Sequence, residues 1–221
     1  MIELSSFLLN NPSMRLQPVS RTGETVITGQ IHFHRRYRDI CIADSYRISI
    51  SIPNNCPHVS PNTKEIGGKI PRKDEFHINP DETLCLGSPL RIMLQLNKSM
   101  SLNSYYEHFL LPYLFAVSAK LQGASNGMIF GELAHGKNGV IDDYVQLFKI
   151  TASSSQQRLA QVERVLWLLS KGRIKARRKT CFCGCGKRLM HCRAYRNIRW
   201  FWQALPAIAW RNYFKEFKRY G

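Results

Sequence analysis

The sequence lacks any hydrophobic run long enough to cross a lipid bilayer. A membrane-spanning helix needs about 20 consecutive apolar residues, and polar or charged residues interrupt every apolar stretch of this 221-residue chain before that length. The start of the chain, MIELSSFLLNNPSMR, also lacks the basic residues and the longer apolar run of a secretory signal. We therefore expect an intracellular, cytoplasmic protein without a membrane span.

Acidic residues are scarce in the last third of the chain. Residues 151–221 contain 17 Lys/Arg and 2 Asp/Glu, a net charge of +15, whereas residues 1–150 contain 15 and 13, a net charge of +2. Almost all of the whole-chain charge of +17 therefore lies in the C-terminal region. Such asymmetry is typical of a tail that meets nucleic acid or an acidic surface.

The cysteines do not follow the pattern of a secreted disulfide scaffold. Three of the seven, Cys41, Cys56 and Cys85, are scattered, and four are crowded into residues 181–192. Cys41 and Cys56 are most simply interpreted as core residues. The arrangement fits an intracellular protein with free or metal-bound thiols.

Hydrophobic periodicity predicts a mixed α/β domain over residues 1–150. Alternating patterns predict strands of an antiparallel meander at 14–18, 25–34 and 45–52. An apolar stripe at helical spacing predicts a helix over 102–121, capped by Ser101 and kinked at Pro112. A shorter helix is expected over 141–148.

A polar stretch at 151–157 predicts a boundary before a second region, 151–221. In that region an apolar stripe predicts a helix over 156–170. The aromatic and basic segment 195–220 is expected to form two helices broken near Pro206.

Residues 46–89 contain the most specific motif of the first domain. A strand is followed by three prolines, a His77-Ile78-Asn79 triplet and a single cysteine, Cys85, in a Leu-Cys-Leu-Gly turn. Together these features resemble the core of ubiquitin-conjugating enzymes. The resemblance covers roughly residues 10–150 and implies an antiparallel meander with flanking helices.

The resemblance implies that Cys85 forms a thioester, because a thiolate is both a strong nucleophile and a good leaving group. It places His77 and Asn79 in the same site, with Asn79 supplying an oxyanion donor or bracing the loop. The alternatives are a small buried cysteine, a structural His77 and a turn-forming Asn79 before Pro80. His135 is a further candidate, either for this site or for capping a turn.

Residues 131–144 resemble a segment of the prokaryotic branch of this family, which occurs in bacterial antiphage (CBASS) operons. That branch accompanies cGAS-like nucleotidyltransferases or ubiquitin-like modifiers. The resemblance therefore implies one of these as the partner whose C-terminus is carried and then transferred to an amine. The alternative is a catalytically silent binding module.

The segment CFCGCGKRLMHC, residues 181–192, crowds thiolate ligands and a histidine at short spacing. Such a donor set suits a tetrahedral Zn²⁺ site. The segment resembles the SEC-C motif, a small zinc knuckle expected here over about residues 177–193.

The resemblance implies that Cys181, Cys183 and Cys192 are ligands of a structural Zn²⁺. His191 is the expected fourth ligand, and Cys185 is the other candidate. The interpretation without a metal is a group of exposed or redox-active thiols.

Basic and aromatic residues interleave around and beyond this segment, including a basic linker expected at 172–180. Such a composition can bind single-stranded nucleic acid, an acidic protein or a membrane surface, or its aromatics can simply pack on the knuckle. We expect an acidic protein partner or packing in preference to nucleic acid.

Overall fold

The computed structural model describes residues 2–18, 23–127, 129 and 136–219. The chain divides into two compact units, Met1–Glu132 and Leu133–Gly221. The sequence suggested a boundary near residue 151. The structure instead groups helix α5 (Gly136–Phe148) with the later helices, because Phe148 packs against Phe201 with ring centroids 5.0 Å apart.

The first unit contains a four-stranded antiparallel meander in the order β1-β2-β3-β4. Its strands are β1 (Met14–Leu16), β2 (Thr25–Tyr37), β3 (Ile40–Ile52) and β4 (Asn62–Glu65). β2 and β3 pair along their full length around a turn in which Arg38 adopts a left-handed conformation (φ 52°). The predicted mixed α/β class and antiparallel sheet are confirmed, and β4 is an addition.

One face of this sheet forms the core of the first unit. Ile27 and Ile31 of β2 are fully buried on that face. Gly29 lies between them and pairs with Met14 of β1. A Cβ atom at Gly29 would lie 2.1 Å from the Ser13 carbonyl oxygen, so the close approach of the two strands requires glycine.

The helices of the first unit follow a simple order along the chain. They are α1 (Ser5–Asn10), α2 (Pro89–Ser99), α3 (Leu102–Tyr105), a π-helical turn (Tyr106–Leu110) and α4 (Leu111–Leu121). The helix predicted over 102–121 is thus present, with its interruption at the π-helical turn. Pro112 lies in the first turn of α4. Ser101 occupies the N-cap position of α3, but its hydroxyl bonds to Glu3 instead of capping the helix.

The second unit is helical where the structure describes it. After α5 come α6 (Ser155–Ser170), α7 (Arg173–Arg177), α8 (Tyr195–Ile198), α9 (Phe201–Ala204) and α10 (Ala207–Arg219). The predicted basic linker therefore contains a short helix, and the terminal segment forms three helices with the last break at Pro206. Phe201 and Trp210 are fully buried and pack edge-to-face, so these aromatics belong to the core. Among the described helices, none has the length and apolar character needed to cross a membrane.

Candidate functional site

Cys85 ends a tight hairpin that begins at His77. The Cys85 amide donates to the His77 carbonyl (2.8 Å), and the Asn79 amide donates to the Thr83 carbonyl (2.8 Å). His77 itself is left-handed (φ 53°). The Leu84 amide donates to the Thr63 carbonyl of β4 (2.8 Å), which ties the hairpin to the sheet. The backbone on which Cys85 sits is therefore fixed from two sides.

The thiol of Cys85 is exposed although its neighbours are not. Leu84 and Ser88 are both buried. Ser88 is the N-cap of α2, and its hydroxyl accepts a hydrogen bond from the Arg91 amide (3.2 Å). A fixed hairpin before the cysteine and a capped helix after it hold an accessible thiol in a defined position.

Tyr113 of α4 is a residue of this site that sequence reasoning assigned only to the apolar stripe of its helix. Its hydroxyl is buried and donates to the Phe76 carbonyl (2.6 Å), immediately before His77. Burial raises the pKa of Tyr113, and the negative charge of an ionised Cys85 raises it further. The phenol is therefore neutral. The sequence gives little indication that Tyr113 belongs to this site, because its hydrogen-bond partner is a backbone atom far away in the sequence.

His77 and Asn79 both lie in the hairpin that ends at Cys85. The His77 side chain is buried. The side-chain amide of Asn79 donates to the Thr83 hydroxyl (2.9 Å), and this hydroxyl donates to the Asp81 carboxylate (2.6 Å). In this geometry the Asn79 side chain forms a hydrogen bond within the hairpin. The catalytic roles of His77 and Asn79 stay predictions.

The remaining candidates of the first unit lie elsewhere. His135 falls outside the described residues. Cys56 packs against the core, as predicted, and burial raises its pKa to about 11. The prediction of a core position for Cys41 is wrong: it is exposed, because it pairs with Arg36 on the outer face of the sheet, and its sulfur lies 3.1 Å from Nε2 of His34.

The four cysteines of the second unit are brought together by a second hairpin. Thr180 pairs with Arg188, and the Cys181 amide donates to the Lys187 carbonyl (2.9 Å). Gly184 and Gly186 turn the chain in left-handed conformations (φ 82° and 73°), which glycine adopts without strain.

The sulfur atoms of Cys181, Cys183, Cys185 and Cys192 lie within 4.8 Å of one another. The Cys192 sulfur is 3.5 Å from that of Cys183 and 3.6 Å from that of Cys185. Four thiolates about 2.3 Å from a tetrahedral Zn²⁺ are about 3.8 Å apart. The geometry and the donor set therefore fit a metal ion with four cysteine ligands.

The environments of these thiols differ. Burial raises the pKa of Cys181 and of Cys183. Although partial burial opposes the ionisation of Cys192, hydrogen bonds from the Ala194 amide and from the other thiols lower its pKa. Among Cys181, Cys183 and Cys192, only Cys192 therefore has surroundings that lower its pKa and favour the thiolate.

The composition of the cluster decides between the two candidates for the fourth position. Cys185 converges with the other sulfurs and His191 does not. His191 is the last residue of a short 3-10 turn, Leu189–His191, and it is exposed. Adjacent residues of such a turn point in different directions, so the turn that delivers Cys192 leads His191 away.

Comparison of the chain with protein-family models, with curated proteins and with solved structures gives no match. The functional interpretation therefore depends on the residues of the two cysteine sites.

Proposed function

We propose that this protein is a thioester-forming transferase of the ubiquitin-conjugating type. Cys85 carries the C-terminal carboxyl group of a protein and passes it to an amine, such as that of a lysine. The observation that carries the proposal is an exposed thiol on a backbone fixed by hydrogen bonds to His77 and, through Leu84, to β4. The antiparallel meander and its flanking helices agree with the resemblance in the motif.

The chemistry proceeds in two balanced steps. The Cys85 thiolate attacks an activated carbonyl carbon, a C–S bond forms, and the activating group leaves with its electron pair. A neutral amine then attacks the thioester, the C–S bond breaks, the amine loses a proton, and the thiolate returns.

Both steps pass through an oxyanion that needs N–H donors. The amides of Leu86 and Gly87 follow the nucleophile and donate to no other group among the described residues. We assign the donor role to these two amides. The Asn79 side chain, bonded to Thr83, braces the hairpin.

The resemblance also suggests the partner. We propose a cGAS-like nucleotidyltransferase or a ubiquitin-like carrier protein as the source of the carboxyl group, in antiphage defence. For the cluster we propose a structural Zn²⁺ held by Cys181, Cys183, Cys185 and Cys192. Four thiolates leave no open coordination position, so the ion would cross-link the chain and take no part in transfer.

Intact-mass spectrometry of the protein isolated from its native cells, with and without dithiothreitol, tests the transferase. We expect a protein-sized adduct that the thiol removes and that is lost in Cys85→Ala. Cys85→Ser should convert it to a thiol-resistant ester. Cys41→Ala, which removes the other exposed single thiol of the first unit, is the matched control. Adduct formation that persists in Cys85→Ala would refute the assignment.

A catalytically silent binding module is the second candidate. The engagement of the Asn79 amide with Thr83 favours it, since a dedicated side-chain donor for the oxyanion is then missing from the hairpin. The exposure of Cys85 favours the transferase. Absence of any adduct, together with a Cys85 that resists alkylation in the folded protein, would select the binding module.

A further inference from the structure

The segment around the four cysteines has a strongly one-sided charge. Residues 173–199, called the basic knuckle here, contain seven Arg and three Lys and no Asp or Glu. All ten of these basic side chains are exposed. The charge is therefore presented to solvent.

The elements that carry these charges pack against one another. Helices α7 and α8 both contact the turn Leu189–His191, which leads into the cysteine cluster. Nε of Arg173 in α7 donates to the Tyr195 hydroxyl of α8 (3.1 Å), which links the beginnings of the two helices. Lys187 and Arg188 lie in the hairpin that carries Cys181 and Cys183. Basic residues from both ends of the segment thus contribute to one positive region.

Nothing in the described part of the chain neutralises this region. The ion pairs of the second unit, Arg158 with Asp142 and Lys218 with Glu163, use cations outside the basic knuckle. Between Glu163 and Glu216 the sequence contains no acidic residue at all. A concentrated positive potential of this kind attracts an external polyanion.

The positions of the aromatic residues indicate which class of polyanion this surface binds. Stable protein interfaces are centred on aromatic or aliphatic anchors. The aromatics Phe201, Trp210 and Phe217 are buried, and only Ile174 and Met190 are exposed large apolar residues within the basic knuckle. The surface therefore offers charge with few anchors, which favours a phosphate backbone over an acidic protein.

A membrane surface is also disfavoured. Helix α10 is the amphipathic helix of the basic and aromatic segment, and it packs against α6. Trp210 and Phe217 on its apolar side are buried. No such face remains for insertion among the described helices.

We propose that the basic knuckle binds the phosphate backbone of nucleic acid without reading its base sequence. Arginine supplies seven of the ten cations, and its planar guanidinium matches the geometry of phosphate oxygens. Among the described residues, Trp200, directly after the basic knuckle, is the only large aromatic that is exposed (37%). Base stacking therefore contributes little, and affinity follows charge. This binding activity is independent of thioester formation at Cys85.

Fluorescence anisotropy of the full-length protein with a labelled 20-base-pair duplex and a 20-nucleotide single strand of mixed sequence tests the proposal. If about five phosphates are contacted, raising NaCl from 50 to 200 mM should weaken duplex binding by about 10²–10³-fold. Unrelated sequences should bind within a few-fold of each other. Absence of binding at 50 mM NaCl would overturn the proposal, as would stronger binding to polyglutamate or to anionic phospholipid vesicles.

Paired charge reversals localise the surface. The double variant Arg177→Glu/Arg178→Glu should weaken binding at least tenfold and reduce the salt slope by about 2. The control Arg211→Glu/Lys215→Glu makes the same change in net charge at exposed positions of α10, outside the basic knuckle. The milder Arg177→Gln/Arg178→Gln guards against loss of folding, which circular dichroism checks. Equal losses in the knuckle and control variants would contradict the assignment.

Discussion

The two units use cysteine in opposite ways. In the first unit Cys85 stands apart from other cysteines, exposed at the end of a hairpin that backbone hydrogen bonds hold in place. In the second unit four cysteines converge until their sulfurs lie within 4.8 Å of one another. The same functional group is thus isolated and exposed in one unit and clustered in a geometry that fits a metal ion in the other, and the surrounding backbone makes the difference.

Removal of a metal ligand should have the largest effect and would test the second half of this comparison. Cys185→Ala takes away one of the four converging thiolates, and we expect the zinc content to fall well below one ion per chain. The apparent affinity of a structural zinc site reaches about 10–16 kcal/mol. Hydrogen exchange of residues 173–199 should then accelerate. Elemental analysis and exchange mass spectrometry measure both.

His191→Ala is the matched control, since His191 is adjacent to Cys192 but lies outside the cluster. It should retain zinc at the wild-type level. If His191→Ala lost zinc and Cys185→Ala kept it, the ligand set would be wrong.

The stability of the first unit depends on the packing of its sheet. A substitution that creates a clash with the sheet backbone should therefore destabilise this unit. Gly29→Ala puts a Cβ 2.1 Å from the Ser13 carbonyl oxygen, at φ 154°. We expect a loss of about 2–4 kcal/mol in the free energy of unfolding, measured with urea. Gly68→Ala is the control: it also has a positive φ, but a Cβ there meets nothing within 4 Å. An equal, small effect of both substitutions would show that β1 shifts to make room.

The positioning of Cys85 can be probed through Tyr113. Tyr113→Phe removes the hydrogen bond to the Phe76 carbonyl and leaves a buried acceptor without its donor. We expect a loss of about 1–2 kcal/mol in stability and slower thioester formation. Tyr46→Phe is the control, because it removes a comparable buried bond, to Ser118, away from the hairpin. The interpretation fails if both variants slow thioester formation equally.

The smallest expected effect is on thermal stability at acidic pH. Although partial burial opposes its ionisation, hydrogen bonds from Lys69 and Ser118 keep the pKa of Asp44 below its usual value of 3.8. A carboxyl group with a lowered pKa stabilises the fold above the unfolded pKa, and this contribution is lost as the pH falls through the folded pKa. Asp44→Asn should therefore flatten the decline of Tm below about pH 4. Asp39→Asn, which makes the same charge change at the exposed β2–β3 turn, is the matched control, and an equal flattening in both variants would contradict the role of Asp44.

The sequence predicted the elements whose pattern is local. The alternation of Ile48, Ile50 and Ile52 indicated β3, and the apolar stripe of 102–121 indicated the long helix. Strand β4 was missed because only Thr63 of its four residues is buried, so four residues give no period to detect. Besides its pairing with β3, the strand is bonded at Thr63 by the Leu84 amide and the Tyr105 hydroxyl, which come from more distant parts of the chain.

The sites show the same limit. Spacing located the cysteine cluster but did not reveal whether Cys185 or His191 belongs to it, because that depends on the turn Leu189–His191. The role of Tyr113 was hidden because its hydroxyl bonds to a backbone carbonyl 37 positions away. Helix α2 was not predicted, although the sequence contains two signals for it. Ser88 is a good N-cap residue, and Pro89 suits the first turn of a helix.

Differential alkylation of the native, zinc-loaded protein tests the contrast between the two cysteine environments most directly. Brief treatment with iodoacetamide, followed by peptide mass mapping, reports the reactivity of each thiol. We predict that Cys85 is modified rapidly, while Cys181, Cys183, Cys185 and Cys192 react only after a chelator is added. A protected Cys85, or cluster thiols that react as fast as Cys85 in the loaded protein, would contradict the account.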